Sequence, residues 1–389
     1  MEGYRLEAGT QIGGRYRIEK TLGEGGYGIT YLGTDLRLDL PVAVKEYYPG
    51  FWVNRGSGCD VCCRREYEAA FQKGLQRFHE EALTLAQLHR IPEIVLVRDF
   101  FEEHGTGYLV MEYLDGQNLK QMTDGFGGRI PPEILMPVMD PIIRALQKVH
   151  SLGLIHRDIS PDNIMMLENG SVKLLDFGNA RDTTDDRSMT LAMKQGFAPP
   201  EQYRSKGQGT WTDVYGTCAT IYYCLTGKLA VQALDRLNGK ELPTLSQLGV
   251  TLPDYQERAI LQGLDLFSKK RPQTMGELWK LLYDPSGNAS AEEDATGIER
   301  RRDMEHGYSG YVSRYDGIHP SKIAEPYRGT ELSRAERDRM QGDKKVHTVG
   351  ADKDGTEENS HVTGYPDIPE PTSWFREACI TIYRKLRGM

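Results

Sequence analysis

From Tyr16 the chain alternates apolar and polar residues, Tyr-Arg-Ile-Glu-Lys-Thr-Leu22, a period of two that predicts a strand with one buried face. The run passes through Gly23-Glu-Gly-Gly-Tyr-Gly28 and leaves through Ile29-Thr-Tyr-Leu32, so strand follows the glycines. Val42-Ala-Val-Lys45 is a further short apolar run, and Val95 to Tyr113 reads as two strands around the turn His104-Gly-Thr-Gly107. Between them, Phe78-His-Glu-Glu-Ala-Leu-Thr-Leu-Ala-Gln-Leu88 has helical spacing. A second helix is predicted from about Pro132 to Ser151. Val214 to Leu225, the longest apolar-rich segment, is too short to cross a bilayer and reads as a buried core helix. Residues 1 to about 15 are polar and glycine-containing, and are expected to form a flexible lead-in.

Composition narrows the classes. Of 389 residues 39% are apolar, and the deficit lies toward the C-terminus. A net charge of −8 argues against a nucleic-acid partner, which would call for a basic surplus. No run of eighteen apolar residues occurs, and Met-Glu-Gly-Tyr-Arg-Leu-Glu7 has no apolar signal core. With six cysteines, this predicts a cytoplasmic protein with reduced thiols. Cys59-Asp-Val-Cys-Cys63 lacks a second Cys/His pair to complete a zinc site and is expected to be a set of surface thiols on a mobile loop.

Past Pro285 the composition turns to Gly, Ser, Asp, Glu and Arg. Such a segment buries too little apolar surface to offset its ordering entropy, so 285–370 is expected to be a disordered polar tail. In 371–389, Trp374, Phe375, Ala378, Ile382 and Leu386 recur at helical spacing beside Arg376, Arg384, Lys385 and Arg387. This is the pattern of a basic amphipathic helix, which would dock on the protein itself, on a partner or on a membrane surface.

The chemistry centres on Leu154-Ile-His-Arg-Asp-Ile-Ser-Pro-Asp-Asn-Ile164 and Leu175-Asp-Phe-Gly178. Transfer of a phosphoryl group from ATP needs a carboxylate to orient the attacking hydroxyl and accept its proton, here Asp158. It also needs oxygen ligands for magnesium, here Asn163 and Asp176. Glycines at 23–28 let backbone N–H groups approach phosphates. A dinucleotide-binding loop would be followed by a helix, not a strand. Lys45 inside an apolar strand needs partners for its ammonium, which phosphates and a helix glutamate would supply.

These motifs resemble, in order, those of the eukaryotic-like (Hanks-type) serine/threonine protein kinases, in wording closest to their bacterial branch. The resemblance covers about residues 16–284. It implies an α+β, bilobal kinase fold, with a small β-rich lobe carrying one regulatory helix and a larger, mainly helical lobe. It also implies ATP with Mg2+ (Mn2+ as an alternative) and protein acceptors bearing Ser or Thr, the chain itself included, in a bacterial signalling pathway. Lys45 is paired with Glu81, Glu80 being the alternative. ATP is assigned to Leu22, Gly23, Glu24, Gly25, Gly26, Tyr27, Gly28, Thr30, Ala43 and Lys45. Met111 guards the back of the pocket, and Glu112, Tyr113 and Leu114 form the hinge. Asp213 anchors the catalytic loop, and Arg271 pairs with Glu201. Arg157 awaits a phosphate on Thr183, Thr184, Ser188 or Thr190.

Two positions depart from the family pattern. Lysine normally stands two residues after the catalytic aspartate, where this chain has Ser160. Threonine normally stands seven before the Pro-Pro-Glu glutamate, where it has Lys194. We expect the roles to be exchanged, with Lys194 supplying the charge and Ser160 the hydroxyl. A loop lysine facing solvent is the alternative. A catalytically weak scaffold acting through its tail is the competing reading of the whole chain.

Overall fold

The computed structural model describes residues 4–56, 58–178, 194–203 and 207–284, with the backbone alone at 181–182. Thr183, Thr184, Ser188 and Thr190, the polar tail and the terminal helix expected at 371–389 lie outside the described residues.

The N-terminal part, through Glu112, is built on an antiparallel sheet. In chain order β1 (Gln11–Ile12), β2 (Tyr16–Gly25), β3 (Gly28–Asp35) and β4 (Leu40–Tyr47) are followed by a small hairpin, β5 (Val53–Arg55) and β6 (Val61–Cys63). Helix α1 (Glu68–Gln87) comes next, then β7 (Val97–Glu103) and β8 (Thr106–Glu112). The main sheet runs β1-β2-β3-β4-β8-β7. Period-2 alternation sorts its residues. Val42, Val44 and Glu46 of β4 are fully buried on one face, while Ala43 and Lys45 are half-buried on the other. The register sets Thr30 opposite Lys45 and Ala43 opposite Met111. Helix α1 buries Phe71, Leu75, Phe78, Ala82 and Leu85, an i, i+4, i+7 stripe. The helix runs from Glu68 to Gln87, and the segment with helical spacing from Phe78 forms its second half.

The remainder opens with β9 (Gly116–Asn118), α2 (Leu119–Gly125) and α3 (Pro132–Ser151), the last with the predicted bounds. Short strands follow: β10 (Leu154–Ile155), β11 (Ile164–Leu167), β12 (Val172–Leu174) and β13 (Arg181–Asp182). The helices α4 (Pro200–Tyr203), α5 (Thr210–Thr226), α6 (Ala233–Leu237), α7 (Asp254–Gly263) and α8 (Met275–Tyr283) complete the described chain. The segment read as a core helix is α5, buried along nearly all its length. Among the described residues no helix is long and apolar enough to cross a membrane.

Two expectations are corrected. Residues 4–15 are not a loose lead-in: β1 pairs with β2, Ile12 and Leu6 are buried, and the Leu6 amide donates to the Tyr31 hydroxyl at 3.2 Å. Nor is the cysteine segment a mobile loop, since Cys62 and Cys63 lie on β6, paired with Asn54 and Val53. One buried ion pair explains both. Arg55 donates to both Glu46 carboxylate oxygens (2.8 and 2.7 Å), to the Tyr4 carbonyl (2.7 Å) and to the Cys59 carbonyl (2.6 Å). A single guanidinium thus ties β4, the N-terminal segment and the hairpin together. Tyr4 stands too far from Arg55 in sequence for local pattern to pair them.

Candidate active site

The glycine-rich stretch is a β-hairpin in which Gly25 pairs with Gly28, leaving Gly26 and Tyr27 at the tip. Its glycines differ in what they do. A Cβ on Gly28 would come within 2.7 Å of the Glu46 carbonyl, so close strand packing excludes a side chain there. A Cβ on Gly23, Gly25 or Gly26 would meet nothing within 4 Å. That open backbone is room a ligand can occupy. Leu22 is exposed beside it. The side chains of Glu24 and Tyr27 turn elsewhere: Glu24 accepts from the Tyr4 hydroxyl and from Arg5, and Tyr27 meets Trp52.

Lys45 reaches from β4 to Glu81 Oε1 at 2.9 Å and to Asp176 Oδ1 at 3.4 Å. Glu81, not Glu80, is therefore the partner; Glu80 is exposed and accepts from Gln76. Burial by itself would lower the Lys45 ammonium, but the Asp176 and Glu81 charges outweigh it and hold it above its ordinary value. Burial pushes the Glu81 carboxyl up, and Lys45 opposes this. The Asp176 carboxyl is held down, chiefly by Lys45. Gly178 lies so close that a Cβ there would sit 3.0 Å from Glu81 Oε2. At the strand end Glu112 accepts from Lys173 (2.6 Å) and from the Leu96 amide (2.9 Å). Its side chain is thereby committed to β12, and its backbone, with Tyr113 and Leu114, links β8 to β9.

The loop at 154–164, expected to be catalytic, is pinned from several sides. Asp213 on α5 accepts the His156 and Arg157 amides (2.8 and 2.7 Å) and a His150 ring nitrogen (2.8 Å). Burial opposes ionisation of Asp213, yet the hydrogen bond from His150, the His150 and His156 rings and the His156 amide together outweigh it and hold the carboxyl below its ordinary value. Gln202 donates to the Arg157 carbonyl at 2.7 Å. Arg157 and Asp176 are held at φ 67° and 55°, left-handed conformations that cost a non-glycine residue on the order of 1–3 kcal/mol and persist only when neighbours over-determine them. The His156 ring donates from Nε2 to the Leu175 carbonyl and accepts the Asp158 amide at Nδ1, which fixes its tautomer.

Asn163 Nδ2 donates to the Asp158 carbonyl (2.8 Å) and carboxylate (3.2 Å). Burial pushes the Asp158 carboxyl up, Lys194 and His156 drawing it back. Lys194 does not face solvent alone: its Nζ donates to the buried Ser160 hydroxyl at 2.8 Å and pairs with Asp162 at 2.9 Å. Glu201 and Arg271 form the expected two-pronged pair (2.6 and 3.1 Å). Sequence reasoning missed Gln202, His150, Lys173 and Asp162. His150 and Lys173 lie in no motif with a spacing rule, whereas Asp162 lies within 154–164 and Gln202 directly follows Glu201.

As candidate metal ligands, Asn163 turns its amide nitrogen to Asp158, which leaves its Oδ1 as a donor, and Asp176 offers a partly exposed carboxylate. Among the described residues no group of three or more His, Cys, Asp or Glu side chains could form a metal cage. Two hard oxygen donors completed by substrate phosphates are what magnesium accepts. The donor set fits.

A curled sheet over a helical lobe, with Lys45–Glu81 and the Asp158–Asn163–Asp176 group at the site, defines a protein-kinase fold. The protein kinase domain family matches residues 16–251, and the chain belongs to that family, in the company of bacterial serine/threonine kinases. It is 31% identical over 367 residues to the serine/threonine-protein kinase PknL of Mycobacterium tuberculosis, covering 84% of this chain and 85% of that one. It is 30% identical to PrkC of Bacillus subtilis, covering 65% of this chain and 38% of PrkC. A probable serine/threonine-protein kinase of Streptomyces coelicolor is 32% identical, with 57% and 31% covered. The chain thus spans between three and four tenths of the length of these last two relatives. The solved structure of PpkA-294 in its apo form superposes with a TM-score of 0.64 at 31% identity, over 72% of this chain and 99% of that one.

Proposed function

We propose that the protein transfers the ATP γ-phosphoryl group to Ser or Thr hydroxyls of protein substrates, itself included, in bacterial cytoplasmic signalling. The observation that carries this reading is the complete set of charges at one site: Lys45 on Glu81 and Asp176, with Asp158 bonded to Asn163. The acceptor oxygen attacks the γ-phosphorus while its proton passes to Asp158. The bond from the γ-phosphorus to the β-phosphate oxygen breaks, and its electron pair leaves on ADP. Lys45 holds the α- and β-phosphates, Glu81 holds Lys45, and the Gly23–Gly28 hairpin covers the phosphates. Leu22, Thr30, Ala43 and Met111 enclose adenine, with Glu112, Tyr113 and Leu114 as its backbone partners. Asn163 and Asp176 would hold Mg2+ or Mn2+, which when bound neutralises phosphate charge.

Lys194 takes the place of the catalytic-loop lysine in this reading, and Ser160 orients it. The support is their 2.8 Å bond beside Asp158. A lost charge aimed at the developing phosphoryl anion costs about 10²–10³ in kcat. The test is phosphate incorporation from Mg·ATP into the protein and into casein, with sites mapped by mass spectrometry. Wild type labels Ser or Thr, and Asp158→Ala does not. Absence of labelling in wild type refutes the kinase reading. An unchanged kcat in Lys194→Met refutes only the role of Lys194.

A further inference from the structure

The described part of the insert between β4 and α1 touches three parts of the ATP site at once. Tyr27, at the tip of the glycine hairpin, meets the Trp52 ring edge-on, with centroids 5.8 Å apart. Trp52 in turn stacks on Tyr67, 6.2 Å away, and Tyr67 immediately precedes the first residue of α1, the helix that carries Glu81. The Tyr48 amide donates to the Tyr27 carbonyl at 3.0 Å, so the tip is also held by backbone to the residue just past β4. The insert is itself fixed. Arg55 grips Glu46, the neighbour of Lys45. The Val61 amide donates to the His104 carbonyl (2.8 Å), and the Arg64 amide to the Trp52 carbonyl (2.9 Å).

Gly23, Gly25 and Gly26 have nothing packed on them, and glycine loses more conformational freedom on ordering than any other residue, so beyond its ladder and the Tyr48 bond the tip gains from a side-chain contact. An aromatic contact from a rigid neighbour moves that ordering cost from nucleotide binding to folding, which is the general route by which preorganisation raises affinity. We propose that Trp52 is a positioning residue. It braces the tip of the glycine hairpin against the start of α1, so that the hairpin's backbone amides are set over the ATP phosphates before nucleotide arrives. The inference rests on the ATP-site reading above. Its ligand is the polyphosphate of the nucleotide, not the base, because the brace touches the hairpin tip and α1, whereas the base belongs to the hinge.

The test compares full-length wild type with Trp52→Ala, Trp52→Phe and Tyr27→Ala by calorimetric titration with Mg·ATP and, separately, with adenosine. Thermal melting runs alongside as a check on folding. Loss of one aromatic pair is expected to raise the Kd for ATP by about three- to tenfold in Trp52→Ala. The Kd for adenosine stays within twofold, and Trp52→Phe restores most of the ATP affinity. Because Tyr27 and Trp52 act through one contact, Tyr27→Ala/Trp52→Ala loses no more than the weaker single variant. Equal weakening toward ATP and adenosine would mean that Trp52 merely stabilises the sheet, and would overturn the proposal. So would unchanged ATP affinity in Trp52→Ala. If wild type binds neither ATP nor adenosine, the ATP site itself is wrong, and the brace falls with it.

Discussion

Replacing Arg55 by Met tests whether one ion pair organises the segments packed on the buried, Glu46-bearing face of the sheet. The side chains are 2% and 0% exposed for Arg55 and Glu46, and the guanidinium also stacks over Tyr48 at 5.0 Å. Breaking a buried pair by removing one member strands the other's charge and costs about 3–5 kcal/mol. Glu46 keeps two donors, the hydroxyls of Tyr31 (2.9 Å) and Tyr108 (3.1 Å), which places the loss near the lower end, about 3 kcal/mol. At roughly 2–4 °C per kcal/mol for a domain of this size, Tm falls by about 6–12 °C. The Tyr4 and Cys59 carbonyls lose their donor too, so amide exchange should quicken in residues 4–10 and in β5–β6 before the rest of the sheet responds. Glu46→Gln/Arg55→Met removes the stranded charge and should recover at least half of the lost Tm. The assay is thermal denaturation with hydrogen-exchange mass spectrometry. A melting point within 2 °C of wild type in Arg55→Met would refute the argument.

Asp213→Asn leaves one side-chain oxygen for two backbone amides and a ring nitrogen, and kcat should fall by about tenfold or more with little change in ATP KM. The Asp213 carboxyl is depressed in the folded state. Its stabilisation is therefore complete above the unfolded pKa of about 3.9 and is lost as pH falls through the folded value. The stability gap between wild type and Asp213→Asn, measured by urea unfolding, should be wide at pH 7 and close in acid. Gln202→Ala removes the donor to the Arg157 carbonyl. It should lower kcat while costing stability only about 1 kcal/mol, whereas Gln202→Glu, which cannot donate when ionised, should be no better than Ala.

Much of the candidate site was legible because the phosphoryl transfer proposed for it requires particular residue types in a fixed order along one chain. Asp158, Asn163 and Asp176 each sit in a short motif, and Lys45 announced itself as a charge in an apolar strand. The choice between Glu80 and Glu81 needed only the helix face: Glu81 lies on the stripe with Phe78, Ala82 and Leu85. What sequence could not supply were contacts made across long separations by residues with no spacing rule. Gln202 meets the Arg157 carbonyl, Lys173 meets Glu112, and Arg55 meets Glu46 and Tyr4. The lead-in and the cysteine segment read as loose because glycines and polar residues dominate them locally. Their order comes from a partner elsewhere.

These unforeseen contacts fall on the supports of the site rather than on its reacting groups. Arg157 and Asp176 adopt left-handed backbone that neither would choose alone. Arg157 is held by Asp213 on its amide and Gln202 on its carbonyl, and Asp176 by Lys45 and the Gly178 amide. Gln202 follows Glu201, whose carboxylate is clamped by Arg271, so the catalytic loop's geometry depends on the segment around residues 194–202 being in place. Lys194, at the head of that segment, bonds the loop at Ser160 and Asp162. Displacing the segment would remove the loop's backbone support and a positive charge together. Under the proposed kinase function, the placement of 194–202 acts as a single variable, so Gln202→Ala and Lys194→Met, though different in chemistry, should both lower kcat while sparing ATP affinity.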